Sequence, residues 1–161
     1  MEKVFGYPTF DADGEQILTT YENEYKAMNM DIRVYRMKKD STREFCRAGE
    51  ELAVLLLSGE IRYEWEEGSR EVSRKDVFTE GPWCVHVCTG KSVRVKAISD
   101  CEILLQCTKN DTTFPSKIYA PKDAPYKYSC VGEFENVAKR RVNTIFDHEI
   151  APYSNMVLGE V

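Results

Sequence analysis

The sequence predicts an all-β fold, an antiparallel sandwich or small barrel. Residues 52–107 form a train of short apolar runs that turn residues interrupt at close intervals. Within this train, residues 61–66 (IRYEWE) alternate apolar and polar side chains without an error. Residues 83–88 (WCVHVC) alternate as well, with bulky apolar side chains on one face and Cys, His and Cys on the other. Period-two alternation at such spacing is typical of antiparallel sandwiches and barrels, whose function depends on what lines the inside.

The elements follow from the same pattern along the chain. Residues 18–28 favour a weak helix or an edge strand, and residues 38–41 (KKDS) a loop. Residues 52–57 (LAVLLL) are continuously apolar. This run predicts a strand that is buried on both faces and ends in a tight turn at Ser58-Gly59. The other predicted strands cover residues 30–35, 61–66, 70–74, 83–88, 93–98, 102–107, 126–128, 142–146 and 155–161.

Size and charge exclude several classes of protein. The chain has 161 residues, enough for one domain with a real core. Its net charge is -5, and the cluster Lys139-Arg140-Arg141 is too short for the basic footprint of a nucleic-acid binder. There is no apolar run of membrane-spanning length and no signal-peptide core at the N-terminus. We therefore expect a cytoplasmic protein without nucleic-acid or membrane partners.

The six cysteines are expected to be reduced thiols. No CxxC pair occurs, and most of the cysteines lie inside apolar strand patterns, where a free Cys behaves as a small buried hydrophobe. Without a secretory signal, a disulfide framework is not expected.

One strand face carries the candidate metal ligands. Cys84, His86 and Cys88 alternate on one side of a single strand, so two neighbours could reach a common ion, but all three could do so only with strain. The favoured interpretation is that they fill the barrel interior or a sheet interface; a metal site and a reactive thiol remain open alternatives.

The remaining candidates have equally plain interpretations. His148 is expected on an exposed or capping loop. Glu160 with Arg140 or Arg141 could line a pocket, although paired surface or sheet-edge charges are favoured. Trp65 and Trp83 are expected in the core or an interface, with a sugar-stacking platform as the alternative. The sequence assigns no catalytic or substrate-binding residue and no metal ligand.

Five short motifs resemble the N-terminal half of the 5-deoxy-glucuronate isomerase family of inositol catabolism. They hold the same order and spacing from about residue 30 to the last residue. The motifs are residues 55–59 (LLLSG); 74–78 (RKDVF) with Gly81-Pro82; 86–90 (HVCTG); Gly132 with Arg140 or Arg141, Val142, Asn143 and Ile145; and the closing Glu160-Val161.

The resemblance implies a cupin fold with two β-barrels in one longer chain and an aldose–ketose isomerisation of a deoxyhexuronate. It also implies a divalent, zinc-like metal held by three His and a Glu in the second barrel, so no cofactor is expected in this chain. Because the sequence ends inside an apolar strand, we expect residues 1–29 to be an N-terminal extension and residues 30–161 the N-terminal barrel, cut before the second.

The sequence is compatible with three functions. The first is the non-metal-binding, structural and oligomerising half of such an isomerase, inactive alone, whose full-length form binds a small sugar acid. The second is a stand-alone, non-catalytic cupin that binds a sugar acid. The third is a metal-dependent cupin using Cys84, His86 and Cys88. Because a barrel cut from its mate exposes apolar surface that the mate would cover, we also expect a homo-oligomer.

Overall fold

The computed structural model describes residues 8–161, which form twelve strands and three short 3₁₀ turns. The strands are β1 (Glu15–Thr19), β2 (Asp31–Met37), β3 (Thr42–Cys46), β4 (Glu50–Trp65), β5 (Gly68–Arg74), β6 (Trp83–Val87), β7 (Ser92–Ala97), β8 (Cys101–Lys109), β9 (Lys117–Tyr119), β10 (Tyr126–Ser129), β11 (Arg140–Phe146) and β12 (Leu158–Glu160). The 3₁₀ turns are Lys26–Met28, Pro121–Asp123 and Glu133–Asn136. No helix among residues 8–161 is long and apolar enough to cross a membrane.

The strands form an antiparallel sandwich with a small third sheet. In the first sheet the order is β1-β2-β8-β4-β6-β9. In the second sheet β7 lies between β3 and β4, and β5 pairs with the other edge of β4. The third sheet, β10-β11-β12, belongs to the C-terminal part of the chain. The all-β antiparallel fold predicted from alternation is therefore confirmed.

Strand β4 joins the two sheets. Its first half pairs with β6 and β8 in the first sheet, and its second half pairs with β5 and β7 in the second. The predicted tight turn at Ser58-Gly59 is wrong: the chain bends there but stays extended. Gly59 takes a φ of +100°, and the pairing with β8 shifts register between Leu56 and Ser58. A glycine at an irregularity lets one strand change sheets without stopping.

The interior of the sandwich is a packed apolar core and not a container. The inward faces of both sheets supply its buried side chains, among them Leu52, Val54, Leu56, Ile61, Tyr63, Val85, Val87, Val93, Val95, Ile103 and Leu105. The hydroxyl of Tyr63 donates to the carbonyls of Val54 and Trp83. The prediction that the interior would carry the function is thus wrong, because apolar side chains fill it.

A second core lies on the opposite face of the first sheet, beneath the C-terminal layer formed by residues 120–161. Ala53, Leu55 and Cys84 of the sheet pack there against Ile145 and Phe146 of β11. This second core explains why residues 52–57 are apolar on both faces, as the sequence predicted.

Other sequence-based predictions of strand positions are confirmed only in part. Residues 18–28 form the end of edge strand β1 and a 3₁₀ turn rather than a helix, and β1 pairs with β2. Strands β3 and β9 were not predicted, because β3 is mostly polar and β9 has only three residues. The predicted strand at residues 155–161 is shorter, covering Leu158–Glu160. Residues 1–7 of the predicted N-terminal extension lie outside the described residues.

We predict that Gly59→Ala destabilises the fold by about 3 kcal/mol in urea unfolding, because a Cβ there would lie 2.5 Å from the Cβ of Cys101 and 2.6 Å from the carbonyl oxygen of Asp100. Gly90→Ala is the matched control, since Gly90 also has a positive φ, of +74°, but no atom within 4 Å of the added Cβ. It should cost only about 1 kcal/mol. Equal losses at the two positions would contradict the bend at Gly59.

Candidate functional site

The predicted Cys84–His86–Cys88 face does not line the sandwich interior. Strand β6 points Val85 and Val87 into the interior, so Cys84 and His86 face the second core under the C-terminal layer. All three side chains are buried. Of the two locations predicted for them, a sheet interface is the correct one.

His86 is bound to a carboxylate and stacked between aromatic rings. Its Nε2 lies 2.7 Å from Oε2 of Glu51, and both side chains are fully buried. The imidazole stacks on the ring of Phe146 at 4.3 Å between centroids and 3° between planes, and Phe114 lies 4.8 Å away. Nδ1 has no hydrogen-bond partner within residues 8–161. We assign a proton to Nε2, which then donates to the Glu51 carboxylate.

Glu51 is the hub of a buried polar network that sequence reasoning missed. Besides the bond to His86, its oxygens accept hydrogen bonds from Asn155 N (2.6 Å), Ser154 Oγ (2.9 Å) and Asn110 Nδ2 (3.2 Å). Burial by itself raises the pKa of the Glu51 carboxyl, but these four donors outweigh it and hold that pKa below its ordinary value of 4.5. The ionised carboxylate thereby fastens the C-terminal layer to the first sheet.

These groups do not fit the metal set that the family resemblance implies. Of the two histidines, His86 is bound to Glu51, and His148 lies exposed on the turn after β11, where Asp147 Oδ1 accepts the backbone N–H groups of Glu149 and Ile150. Cys84 is buried, and burial raises the pKa of its thiol well above the ordinary value, which disfavours the thiolate that a metal needs. In the part of the chain that the structure describes, no group of three or more His, Cys, Asp or Glu side chains is arranged to hold a metal.

A second buried ion pair ties the end of β12 to the sandwich. The guanidinium of Arg74 binds the carboxylate of Glu160 in a bidentate fork, with N–O distances of 2.6 and 2.7 Å. The same guanidinium donates to the carbonyls of Leu56 (2.8 Å) and Glu80 (2.9 Å). Glu160 is therefore a paired sheet-edge charge, as favoured from the sequence, but its partner is Arg74 rather than Arg140 or Arg141.

An open groove, called the leucine groove below, lies beside this ion pair on the outer face of the first sheet. The C-terminal layer covers only part of that face, and the groove left beside it has a volume of about 670 Å³. Its floor is aliphatic, formed by Leu18, Ile32, Leu55, Leu57, Leu104 and Leu158. Its rim carries Phe78, Asn143 and Glu160 and three basic residues, Lys139, Arg140 and Arg141. Glu160, Arg140 and Arg141 therefore do line a common pocket, the alternative considered from the sequence, and it lies outside the barrel.

The sequence motifs that carry the family resemblance meet at this groove. Leu55 and Leu57 come from the first motif, Val77 and Phe78 from the second, Arg140, Arg141 and Asn143 from the fourth, and Glu160 and Val161 from the last. The third motif, residues 86–90, lies elsewhere, beginning at the buried His86. The two tryptophans stay away from the groove as well: Trp65 and Trp83 are partly buried and pack against the sandwich core, as predicted.

The chain resembles known proteins both in sequence and in fold. The model of the KduI/IolB family matches residues 7–161. An IolB-like protein from Salmonella typhimurium LT2 superimposes with a TM-score of 0.75 at 13% identity, over 89% of this chain and 54% of that one. Protein Ylba from E. coli gives a TM-score of 0.58 at 11% identity, over 91% and 57%. A cupin 2 domain-containing protein from Halorhodospira halophila gives 0.48 at 12% identity, over 68% and 70%.

The likenesses to the Salmonella and E. coli structures establish the fold, and they also bear on length. The chain spans about half the length of the Salmonella and E. coli structures it matches. Among curated proteins, no sequence matches it.

We predict that Glu51→Gln lowers the free energy of unfolding by about 2–4 kcal/mol at pH 7, because an amide NH₂ would face donors in a buried site. Glu102→Gln is the control: it breaks the exposed pair with Arg36 and should cost under about 1 kcal/mol. Since the pKa of Glu51 is depressed in the folded state, its contribution is present above pH 4.5 and is lost as the pH falls through the folded pKa. The gap between wild type and Glu51→Gln in urea midpoints should therefore narrow below pH 4.5; a constant gap would contradict an ionised Glu51.

We also predict that two of the six thiols react with a disulfide reagent in the folded protein. Cys46 is exposed and Cys130 half-buried, whereas the other four are buried, and burial raises the pKa of Cys101 to about 11 and of Cys107 to about 12. Cys130 should react first, because hydrogen bonds from Ser129 and Arg140 lower the pKa of its thiol. Cys130→Ser should remove the fast phase. Fewer than six thiols after denaturation would instead reveal a disulfide.

Proposed function

Since this chain belongs to the KduI/IolB family, we propose that it is the non-metal-binding, N-terminal cupin half of an aldose–ketose isomerase that acts on a deoxyhexuronate. The observation that carries the proposal is the match of 89% of this chain to 54% of an IolB-like protein. The five motifs in register, from residue 55 to Val161, favour the deoxyglucuronate branch and therefore a cytoplasmic role in inositol catabolism.

The chemistry of the reaction supports a division of labour between two halves. Aldose–ketose isomerisation moves a proton between adjacent carbons while the carbonyl is polarised, so it needs an electrophile and a general base in one protected site. In residues 8–161 the buried charged side chains are otherwise engaged: Glu51 binds His86 and the C-terminal layer, Arg74 binds Glu160, and Asp31 binds Arg33. We therefore place the divalent metal and the reacting groups in a second barrel, and give this half a structural and oligomerising role.

A stand-alone sugar-acid-binding cupin is the second candidate, and the basic rim of the leucine groove favours it. Lys139, Arg140 and Arg141 could hold a carboxylate. The aliphatic floor, however, offers few partners for the several hydroxyl groups of a sugar acid, and unpaired hydroxyls lose affinity. The first candidate therefore has the stronger support.

Intact mass of the natural gene product separates the two candidates. Because 89% of this chain matches 54% of the IolB-like protein, a mass about 1.6 times 18.6 kDa, with about one equivalent of divalent metal, supports the two-barrel isomerase. A mass near 18.6 kDa, together with glucuronate binding measured by calorimetry, supports the binding protein.

Activity provides the direct test of the proposal. The 161-residue chain alone should not convert 5-deoxy-glucuronate, as followed by proton NMR, whereas the longer gene product should. The lone chain should also bind less than about 0.1 equivalent of zinc, iron, nickel or manganese when purified without chelator, because the donor sets of the described residues do not fit a metal. Turnover by the lone chain would overturn the proposal.

A further inference from the structure

We infer that the leucine groove is the self-association surface of this chain, and that its occupant is the β10–β11 hairpin tip of a second copy, residues 130–137. This inference deepens the oligomerising role proposed above and rests on it for the expectation that the chain associates with itself. It adds which surfaces meet and which charges pair.

The groove lacks the covering that the rest of the sheet face has. Leu55 and Leu158 are buried between the first sheet and the C-terminal layer, but Leu18, Ile32, Leu57 and Leu104 of the same groove are only half-buried. Phe78 stands at the rim with 80% of its surface exposed. A contiguous apolar floor of this kind on a small protein is typical of an interaction site.

The hairpin tip presents the complementary apolar surface. Val131, Phe134 and Val137 are exposed by 61%, 78% and 87%. They do not hang on an unstructured loop: Gly132 N donates to Asn136 Oδ1 at 2.8 Å, and Val137 N to the Phe134 carbonyl at 3.0 Å. Three successive non-glycine residues, 134–136, hold left-handed φ values of 47°, 56° and 66°. Such a conformation costs about 1 kcal/mol or more at each residue, and here it displays apolar side chains to solvent.

The charges of the two surfaces complement each other. The groove rim carries Lys139, Arg140 and Arg141, and the hairpin tip carries Glu133 and Glu135. Within the described residues none of these five side chains belongs to a salt bridge, although nine other basic side chains do, including Arg74 and His86. The acidic tip of one copy could therefore pair with the basic rim of another.

The position of the hairpin suits a two-fold arrangement. Strand β11 begins at Arg140, on the groove rim, directly after the tip. Because tip and groove are neighbours at the same end of the molecule, a two-fold axis beside them would let each copy place its tip in the groove of the other. Such an isologous contact closes on itself and buries both apolar surfaces twice.

A sugar acid or an unrelated protein fits these observations less well. The floor is mainly aliphatic, and its amide, Gln106, already donates to the Val157 carbonyl, which leaves few hydrogen-bonding groups for a polyol. A second copy also brings both complementary features at once, whereas an unrelated partner would leave the exposed tip unexplained.

The test is the mass of the purified chain by light scattering across a concentration series, with variants of both surfaces. Wild type should be a dimer at high concentration. Phe134→Ser with Val137→Ser should weaken the dimer at least about tenfold, since burial of a single large apolar side chain accounts for a factor of that size. Ile17→Ser is the matched control: Ile17 is an exposed apolar residue of β1 that does not line the groove, and its variant should leave the Kd unchanged.

Charge reversal gives the sharper test. Lys139→Glu with Arg140→Glu should weaken the dimer, as should Glu133→Lys with Glu135→Lys, and the combination of all four should restore it. Circular dichroism checks that each variant is folded, and the hairpin variants alter only exposed side chains. Rescue supports the inference. A dimer that none of these changes affects overturns the groove assignment but leaves the oligomerising role intact, whereas a monomeric wild type overturns both.

Discussion

The buried carboxylate of Glu51 is the interaction on which the C-terminal half of the structure depends. A charge taken out of water is costly unless it is fully hydrogen-bonded. Glu51 meets this requirement with donors from β6, from the end of β8 and from residues 154–155, the last of these more than a hundred positions away in sequence. The first sheet cannot bury Glu51 until the C-terminal layer arrives, so sheet and layer must form together.

The bend in β4 sets where everything else lies. Because β4 runs through both sheets, the inner faces of the two sheets pack against each other. The outer face of the first sheet is apolar as well and remains to be covered. The C-terminal layer covers the part of that side near β6, and Arg74 fixes its far edge by holding Glu160. The leucine groove is the uncovered remainder. Its aliphatic floor thus comes from the same alternation that builds the second core.

Local patterns made much of the fold predictable, and non-local polar contacts did not. Alternation of apolar and polar side chains located β2, β6, β7 and β11, because it is visible within a few residues. Strands β5, β8 and β10 were predicted from short runs between turn residues. The predicted turn at Ser58-Gly59 was wrong, since a glycine at a bend and a glycine in a turn give the same sequence signal. The partners Glu51 and His86, and likewise Arg74 and Glu160, are 35 and 86 positions apart, and no short window reveals such pairs. The one available sign of a buried charge was Glu51, which stands directly before the apolar run at residues 52–57.

The distribution of the family-like motifs bears on where the chemistry lies. If these residues served a reaction inside this barrel, they would line its interior, yet apolar residues fill that space. Most of the motifs instead contribute to a groove on the outside. In the motifs that reach the groove, the charged residues that are buried or nearly so, Arg74 and Glu160, are bound to each other and are not free to move a proton. A surface of this composition is suited to contact rather than to catalysis, which agrees with the proposal that the reacting groups lie in a second barrel.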